Sequence, residues 1–193
     1  MLVTLEGVDG VGKSTQARLL AARLRDTGRD VVECREPGGT ELGERIRSLL
    51  LDHGAWRVGA RAEALLFAAA RAQLVEEVIR PALDAGAWVV CDRFYDSSVA
   101  YQGEARSLGA AVILETSLFA TGGLRPDRTL LLVGPDRATG TRDRIESEDA
   151  AFRCALADAF TRIAASAPSR VTTISTNAPI SIVAERVWQA VGA

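Results

Sequence analysis

The 193-residue sequence predicts an α/β fold in which a five-stranded parallel sheet is flanked by helices. Short apolar runs rich in β-branched residues alternate with longer stretches of helical periodicity, a pattern typical of βαβ units. Glycines such as Gly28 and Gly86 separate a helical stretch from the next strand. The length fits one domain, so residues 1–193 are expected to fold as a single unit.

Five segments are predicted as strands: Leu2–Glu6, Val31–Cys34, Trp88–Asp92, Thr129–Val133 and Val171–Ser175. Six segments have helical patterns: Ser14–Arg25, Glu41–Leu51, Arg61–Leu83, Ser98–Ala120 (with a break), Ala150–Ala165 and Ile180–Val191. One remaining stretch, Gly134–Asp149, has few apolar residues and many charged ones. It is expected to be a mobile surface segment.

Composition excludes several classes of partner. The net charge of −2 argues against nucleic acid, whose phosphate backbone requires a basic surface. No apolar run approaches the roughly 20 residues of a membrane span, and the N-terminus lacks the pattern of a signal peptide. Three widely separated cysteines without a CxxC pair indicate a reducing compartment. These features predict a cytoplasmic protein with a small-molecule partner.

The first strand leads into a phosphate-binding loop. Its residues match GxxxxGK[ST] without a gap, followed by a helical pattern: Gly7, Val8, Asp9, Gly10, Val11, Gly12, Lys13 and Ser14. Glycines allow backbone N–H groups to converge on phosphates at a helix N-terminus. Together with Thr15, this set is predicted to bind the phosphates of ATP, with Ser14 as a ligand of Mg²⁺.

Lys13 stands out because it is the only lysine beside 22 arginines. Arginine occupies the ordinary cationic positions, so Lys13 marks a site where the compact ammonium group is required. The alternative, a glycine-rich turn with a surface lysine, does not explain the strand before the loop and the helix after it. The P-loop alone does not define the reaction, although the absence of an NKxD motif argues against a GTPase.

The acceptor side is predicted where the third strand ends, at Asp92 and Arg93. Ligands bind at the carboxyl ends of strands in open α/β sheets. Asp92 is predicted to act on Mg²⁺ or its waters, and Arg93 to bind an acceptor phosphate. An ordinary surface Asp–Arg pair is the alternative. Ser97 and Tyr101 follow Arg93 at intervals of four, which would place all three on one helical stripe with Gln102 beside them.

Phe67 and Arg71 form a second pair four residues apart, within EALLFAAARAQ. A ring that stacks on a base and a cation one turn later that reads a carbonyl would suit a nucleotide. Taken alone, a core phenylalanine and a solvated arginine would be the simpler interpretation.

Longer stretches of the chain resemble the bacterial thymidylate kinases. The matching segments are LEGVDGVGKSTQ, REPGGTELGERIR, RAEALLFAAARAQ, CDRFYDSSVAYQG, FATGGLRPDRTLLL and DRIESED. The resemblance covers nearly the whole chain and implies the P-loop nucleoside monophosphate kinase fold with a lid, which in this chain would be short and lie at about 135–149. It also implies transfer of phosphate from ATP to dTMP with Mg²⁺, and a homodimer through Arg61–Leu83 and Ser98–Ala120.

The resemblance assigns roles at matched positions. Asp9 would contact the acceptor sugar, and Arg47 and Arg93 would grip the acceptor phosphate. Phe67 would stack on the base and Arg71 would read a thymine carbonyl. The remaining predicted contacts are Ser98 and Gln102 at the base edge, Tyr101 against the deoxyribose, and Glu36 and Pro37 in the wall near the thymine methyl.

A catalytic arginine is expected in the lid, because the P-loop position that carries arginine in some relatives is Gly10 here. Arg142 and Arg144 are the predicted candidates, with Arg137 as a further possibility. Such a cation would stabilise charge during phosphoryl transfer.

Departures from the family pattern keep two alternatives open. The lid is shortened, the aspartate usual after the LLL strand is missing, and Ala70 replaces a polar residue. These changes would also suit a pathway-specific kinase for a modified pyrimidine deoxynucleotide monophosphate. The short lid would equally suit a nucleotide-binding module with little turnover.

Overall fold

The computed structural model describes residues 1–52, 57–137, 144–145 and 149–192. Its centre is one parallel sheet of five strands in the order β2-β3-β1-β4-β5. The strands are β1 (Leu2–Glu6), β2 (Val31–Arg35), β3 (Trp88–Asp92), β4 (Arg128–Val133) and β5 (Val171–Ser175). The predicted fold class is confirmed, and each predicted strand lies within one residue of its observed bounds.

The described residues form eight α-helices between and after the strands: α1 (Lys13–Asp26), α2 (Glu41–Leu51), α3 (Ala60–Leu74), α4 (Arg80–Asp84), α5 (Tyr95–Ser98), α6 (Ala110–Ala120), α7 (Ala150–Ser166) and α8 (Ile180–Val191). A π-helical segment, Val75–Ile79, joins α3 to α4. A second one, Val99–Ala105, continues α5. The predicted break within Ser98–Ala120 falls between this segment and α6.

The sheet is packed on both faces, and its three central strands β3, β1 and β4 are buried along most of their length. On one face, Val3 and Leu5 of β1 pack with Leu24 of α1 and Val187 of α8. On the other, Leu2 packs with the helical stretch that contains Leu74, Val75 and Ile79. Both faces are therefore covered, which explains why the three central strands are mostly apolar. None of the helices described is long and apolar enough to cross a membrane.

The sheet register brings two functional loops together. β1 lies between β3 and β4, and Leu5 of β1 is paired with Asp92 of β3. Parallel strands end at the same edge of the sheet, so the loop after β1 and the turn after β3 share one edge. The P-loop and the Asp92–Arg93 pair meet there. Ser14 contacts Asp92 although the two residues are 78 positions apart in the sequence.

Candidate active site

The P-loop backbone depends on glycine at two positions. Gly7 has φ +136°, and a Cβ there would collide with the carbonyl oxygen of Leu132 in β4. Gly12 has φ +102° and immediately precedes α1 in the left-handed conformation. Its carbonyl accepts the N–H of Gln16 and so starts the helix. These conformations are accessible to glycine at little cost, and they let the loop curl over the N-terminus of α1.

Lys13 is almost fully buried beneath this loop, with 6% of its surface exposed. Its Nζ donates to the carbonyl of Val8 at 2.7 Å and lies 3.7 Å from the Asp9 carboxylate. Burial lowers the pKa of Lys13 to about 8, and the nearby Arg93 guanidinium acts in the same direction. Asp9 and Asp92 offset this only in part. Bound phosphates would place further negative charge beside Lys13 and so stabilise its ammonium form.

Ser14 and Asp92 lie side by side at the strand edge. The Ser14 hydroxyl donates to Oδ2 of Asp92 at 2.5 Å. Oδ1 of Asp92 is buried and has no hydrogen-bond partner among the described residues. A hydroxyl and a carboxylate oxygen next to a phosphate-binding loop are the donors that Mg²⁺ prefers in nucleotide sites. The residues therefore fit a magnesium ion, held directly or through its waters.

Arg93 connects the P-loop with the acceptor side. Its backbone is left-handed, with φ 71°, which is uncommon for a residue with a side chain. Its guanidinium donates to the Gly7 carbonyl at 3.1 Å, the Ser97 hydroxyl at 2.9 Å and the Tyr101 hydroxyl at 3.3 Å. It also pairs with Asp9. The predicted stripe of Arg93, Ser97 and Tyr101 is therefore a set of direct contacts.

Asp9 is the acidic counterpart of these cations. Its Oδ2 accepts the Tyr101 hydroxyl at 2.7 Å, and its Oδ1 faces Arg93 and Lys13. Burial alone would raise the pKa of Asp9. The guanidinium of Arg93, the ammonium of Lys13 and the Tyr101 hydrogen bond outweigh it, so the pKa lies below its ordinary value. Asp9 is therefore a carboxylate at neutral pH.

A second carboxyl group, that of Glu6, accepts hydrogen bonds from the segment that follows Arg93. Glu6 was not predicted as a site residue. Its Oε1 accepts the N–H of Phe94 at 2.8 Å, and its Oε2 accepts the Ser97 hydroxyl at 2.5 Å. It is completely buried. Burial raises the pKa of Glu6 to about 8, helped by the like charge of Asp96 and opposed by Ser97 and Arg93. Glu6 thus holds two residues that follow the left-handed Arg93, Phe94 and Ser97.

Arg71 lies at the other end of the site and is 1% exposed. Its guanidinium pairs with both carboxylate oxygens of Glu36 at 2.6 to 3.1 Å. It also donates to the hydroxyls of Ser98 at 2.9 Å and Ser117 at 3.2 Å. Burial raises the pKa of Glu36, and Arg71 counteracts that rise. The arrangement fixes the Arg71 fork in one orientation.

Gln102 is also buried, at 1% exposure, and its Nε2 donates to the Glu63 carboxylate at 3.0 Å. The same carboxylate accepts Arg144 at 2.7 Å. Arg144 further donates to the carbonyl of Leu50 at 2.8 Å. The structure therefore joins this predicted lid arginine to α2 and α3. Arg142, the other predicted lid arginine, lies outside the described residues.

A cleft of about 860 Å³ is lined by most of the predicted site residues. Its lining includes these predicted residues: Asp9, Gly10, Gly12, Lys13, Ser14, Thr15, Glu36, Pro37, Arg47, Phe67, Arg71, Asp92, Arg93, Ser97, Ser98, Tyr101 and Gln102. Arg47 also donates to the carbonyl of Pro37 at 2.9 Å. Among the predicted residues that the structure describes, Gly7, Val8, Val11 and Arg144 are not part of the lining.

Arg137 is the arginine from the start of the predicted lid that does line the cleft. Its N–H donates to the carbonyl of Gly10 at 3.0 Å, and its guanidinium donates to the carbonyl of Thr176 at 3.0 Å. A weaker contact reaches the carbonyl of Ala178 at 3.5 Å. Arg137 therefore ties the P-loop to the loop after β5.

Sequence reasoning missed Glu6 and Glu63, two acids that contact predicted site residues. A weak signal was present, because each acid interrupts an otherwise apolar segment, LVTLE in β1 and AEALLF in α3. A buried acid requires hydrogen-bond partners. The sequence could not reveal that those partners are Phe94, Ser97 and Gln102, which lie 39 to 91 residues further along the chain.

Comparison with known proteins gives a consistent result. The thymidylate kinase family model matches residues 5–187. A thymidylate kinase of Rhizorhabdus wittichii is 52% identical over 97% of this chain and 95% of its own length. One of Clavibacter michiganensis is 50% identical over 93% and 88%. The crystal structure of thymidylate kinase from Ehrlichia chaffeensis superposes with a TM-score of 0.84 at 32% identity, covering 100% of this chain and 98% of that one. The chain belongs to the thymidylate kinase family.

Proposed function

We propose that this protein is a dTMP kinase that converts ATP and dTMP into ADP and dTDP. The observation that carries the proposal is the cleft in which Lys13 of the P-loop faces Asp9 and Arg93 of the acceptor side. Membership of the thymidylate kinase family supports this choice of substrate.

On the donor side, the P-loop N–H groups and Lys13 bind the β- and γ-phosphates of ATP. Thr15 continues this surface into α1. Arg137 bridges the Gly10 and Thr176 carbonyls and forms the wall of the cleft nearest the loop after β5. We assign the nucleoside of ATP to that wall, because it continues the phosphate-binding surface away from the acceptor residues.

On the acceptor side, Arg47 and Arg93 bind the phosphate of dTMP. Phe67 stacks on the base, while Arg71 donates to a base carbonyl and Ser98 and Gln102 contact the base edge. Pro37 and Glu36 close the wall beside the base. Tyr101 packs near the sugar, where its hydroxyl is held by Asp9 at 2.7 Å. A tyrosine ring beside the sugar would crowd a 2′-hydroxyl group, so this assignment favours a deoxynucleotide.

Phosphoryl transfer in such a site is mainly a matter of position and charge. Lys13 and Arg93 flank the path between the two phosphates and stabilise the negative charge that spreads over the transferred group. Asp9 pairs with both cations, so it fixes their positions before the substrates arrive. Arg142 remains our candidate for a lid cation. Arg144 is then an anchor for the lid at about 135–149, through its contacts with Glu63 and Leu50.

Magnesium is the expected cofactor, and Ser14 and Asp92 are the residues that would hold it. When bound, the ion would neutralise phosphate charge next to Lys13. The unpartnered Oδ1 of Asp92 supports this assignment, because a buried carboxylate oxygen otherwise lacks compensation.

An ADP-release assay over dTMP, dUMP, dCMP and dGMP tests the proposed reaction. We expect dTMP to give the highest kcat/KM and Lys13→Ala to abolish transfer to every acceptor. A Glu41→Gln variant is the matched control, since Glu41 is exposed and does not line the cleft. Equal activity with dTMP and dCMP would refute the substrate assignment.

The same assay separates the two alternatives. Extending the panel to 5-substituted pyrimidine monophosphates tests a specialised kinase, which would prefer one of them to dTMP. Normal nucleotide affinity without measurable transfer would indicate a binding module. Family membership at about 50% identity argues against both alternatives.

We further propose that residues 1–193 act as one domain in a cytoplasmic homodimer. Phe119 at the end of α6 is 90% exposed, and Val112 of α6 and Leu65 of α3 are also exposed. α3 and α6 pack against each other, so these apolar side chains belong to one pair of helices. Burial in a dimer would remove that surface from water. Sedimentation of the wild type and Phe119→Glu tests this: the variant should shift toward the monomer.

A further inference from the structure

Glu63, in the first turn of α3, accepts hydrogen bonds from three residues in two separate parts of the chain. Its Oε1 accepts Gln102 Nε2 at 3.0 Å and Arg106 Nε at 3.3 Å. Its Oε2 accepts Arg144 Nη2 at 2.7 Å and Arg106 Nη2 at 3.4 Å. Glu63 is 1% exposed and does not line the cleft. Of these partners only Gln102 lines it.

This contact determines which way the Gln102 amide points. A carboxylate flanked by two guanidinium groups is an acceptor and has no proton to donate. The NH₂ end of Gln102 must therefore face Glu63, and the carbonyl oxygen Oε1 occupies the opposite end of the amide. No donor from the described residues bonds that oxygen, so it is available to a ligand in the cleft.

We propose that Glu63 is a positioning residue that makes Gln102 present a hydrogen-bond acceptor to the pyrimidine ring. The inference rests on the proposed function, in which Gln102 contacts the base edge. A base with an N3–H donor, thymine or uracil, can bond Gln102 Oε1. Cytosine has a lone pair at N3, and two acceptors would then face each other without a proton between them.

The discrimination should be large because the site is buried. Leaving a buried polar group without a hydrogen bond costs more binding free energy than one hydrogen bond between neutral groups contributes. Sites built around a specific hydrogen bond therefore reject analogues that lack the matching group. The thymine methyl group lies on a different edge of the ring from N3. Glu63 should therefore separate N3–H bases from cytosine without separating thymine from uracil.

Glu63→Gln is the direct test. The new amide can donate its own NH₂ to Gln102, so the Gln102 amide can turn and present a donor to the cleft. We expect the ratio of kcat/KM for dTMP to that for dCMP to fall at least tenfold, with the dTMP to dUMP ratio within about twofold of the wild type. An equal loss of kcat/KM with all three acceptors would show a merely structural role and overturn the proposal.

Arg106→Gln is the matched control, because it removes a second partner of Glu63 and leaves the Gln102 contact in place. Its dTMP to dCMP ratio should remain that of the wild type. Gln102→Met should lose the same discrimination as Glu63→Gln, and the double variant should lose no more than Gln102→Met alone. Additive losses would show that Glu63 acts by another route.

Two further outcomes are informative. If Glu63→Gln does not fold, as judged by its thermal unfolding, the dTMP to dCMP ratio of Gln102→Met decides: an unchanged ratio refutes the proposal. If the wild type transfers phosphate to no pyrimidine monophosphate, the proposed function fails. A wild type that prefers dTMP with an unaltered ratio in Glu63→Gln refutes only the role of Glu63.

Discussion

Arg93 and Asp9 form an ion pair that joins the turn after β3 to the P-loop. The pair is reinforced on both sides: Tyr101 donates to Asp9, and Arg93 donates to the Gly7 carbonyl and Ser97. Two loops that bind different phosphates in the proposed reaction are thus held in one geometry. This fixed geometry matters because misplacement of reacting groups by about 1 Å can cost a hundredfold in rate.

Arg93→Lys should reduce kcat/KM for dTMP by roughly a hundredfold, the size typical of losing one preorganised donor to a transition state. Lysine keeps the charge but cannot contact Asp9, Gly7, Ser97 and Tyr101 at the same time. Steady-state kinetics with varied dTMP would show the loss, and ATP affinity measured by calorimetry should change little. Arg45→Lys is the control, because Arg45 is exposed and, within the part of the chain that the structure describes, pairs with the exposed Glu41. A loss below threefold would contradict the role assigned to Arg93.

Lys13 should take up a proton when ATP binds near pH 8. Burial and the neighbouring Arg93 lower its pKa to about 8 in the free protein, so a large share is neutral at that pH. Phosphate charge favours the ammonium form and raises the pKa again. The bound state then holds more protons than the free state, and ATP affinity must fall as pH rises above 8.

Calorimetric titrations with ATP in two buffers of different ionisation enthalpy measure this uptake. We expect uptake of a fraction of a proton per ATP bound at pH 8. At pH 6, where Lys13 is already charged, the uptake should be much smaller. Lys13→Met, which cannot be protonated, is the control. Uptake of the same size in that variant would assign the proton to another group, and Glu6 would be the first candidate because its pKa is also about 8.

The sequence was sufficient for the sheet and for most of the cleft because those features have local signals. Strands with apolar runs, the P-loop spacing and the four-residue interval from Arg93 to Tyr101 can be read within a few residues. The partners of buried charged residues cannot be predicted from such short stretches of sequence. Arg144 fits a lid arginine by its position in DRIE, but its guanidinium reaches Glu63, 81 residues earlier in the chain. The two meet because the backbone and guanidinium of Arg144 bond to the end of α2, which packs against α3.

Glu36→Gln should destabilise the protein by about 3–5 kcal/mol, because it leaves the buried guanidinium of Arg71 without its carboxylate. Denaturation by urea measures the change in the free energy of unfolding. Glu41→Gln is again the control, since the exposed Glu41–Arg45 pair is expected to contribute only about 0.3–0.5 kcal/mol. The KM for dTMP should also rise in Glu36→Gln, because the Arg71 fork loses its fixed orientation. A change in stability as small as that of the control would contradict the buried pair described here.

Glu6→Gln should remove a pH dependence of stability between about pH 4.5 and 8. The ordinary pKa of this carboxyl is 4.5, and burial together with Asp96 raises it to about 8 in the folded protein. Within that window the native state keeps a proton that the unfolded state has lost, so the free energy of unfolding falls as pH rises, by at most about 1.4 kcal/mol per pH unit. Glutamine is neutral throughout.

The stability of Glu6→Gln relative to the wild type should therefore increase steadily from pH 5 to pH 8 and level off above pH 8. Urea denaturation at unit steps of pH measures this difference directly, since all other titrating groups are common to both proteins. The amide oxygen of glutamine can still accept the Phe94 N–H, which limits other effects of the substitution. Glu41→Gln, which removes an exposed carboxyl, is the matched control. A flat profile for Glu6→Gln would mean that this carboxyl is ionised in the folded protein at neutral pH, and that Arg93 and Ser97 compensate its burial fully.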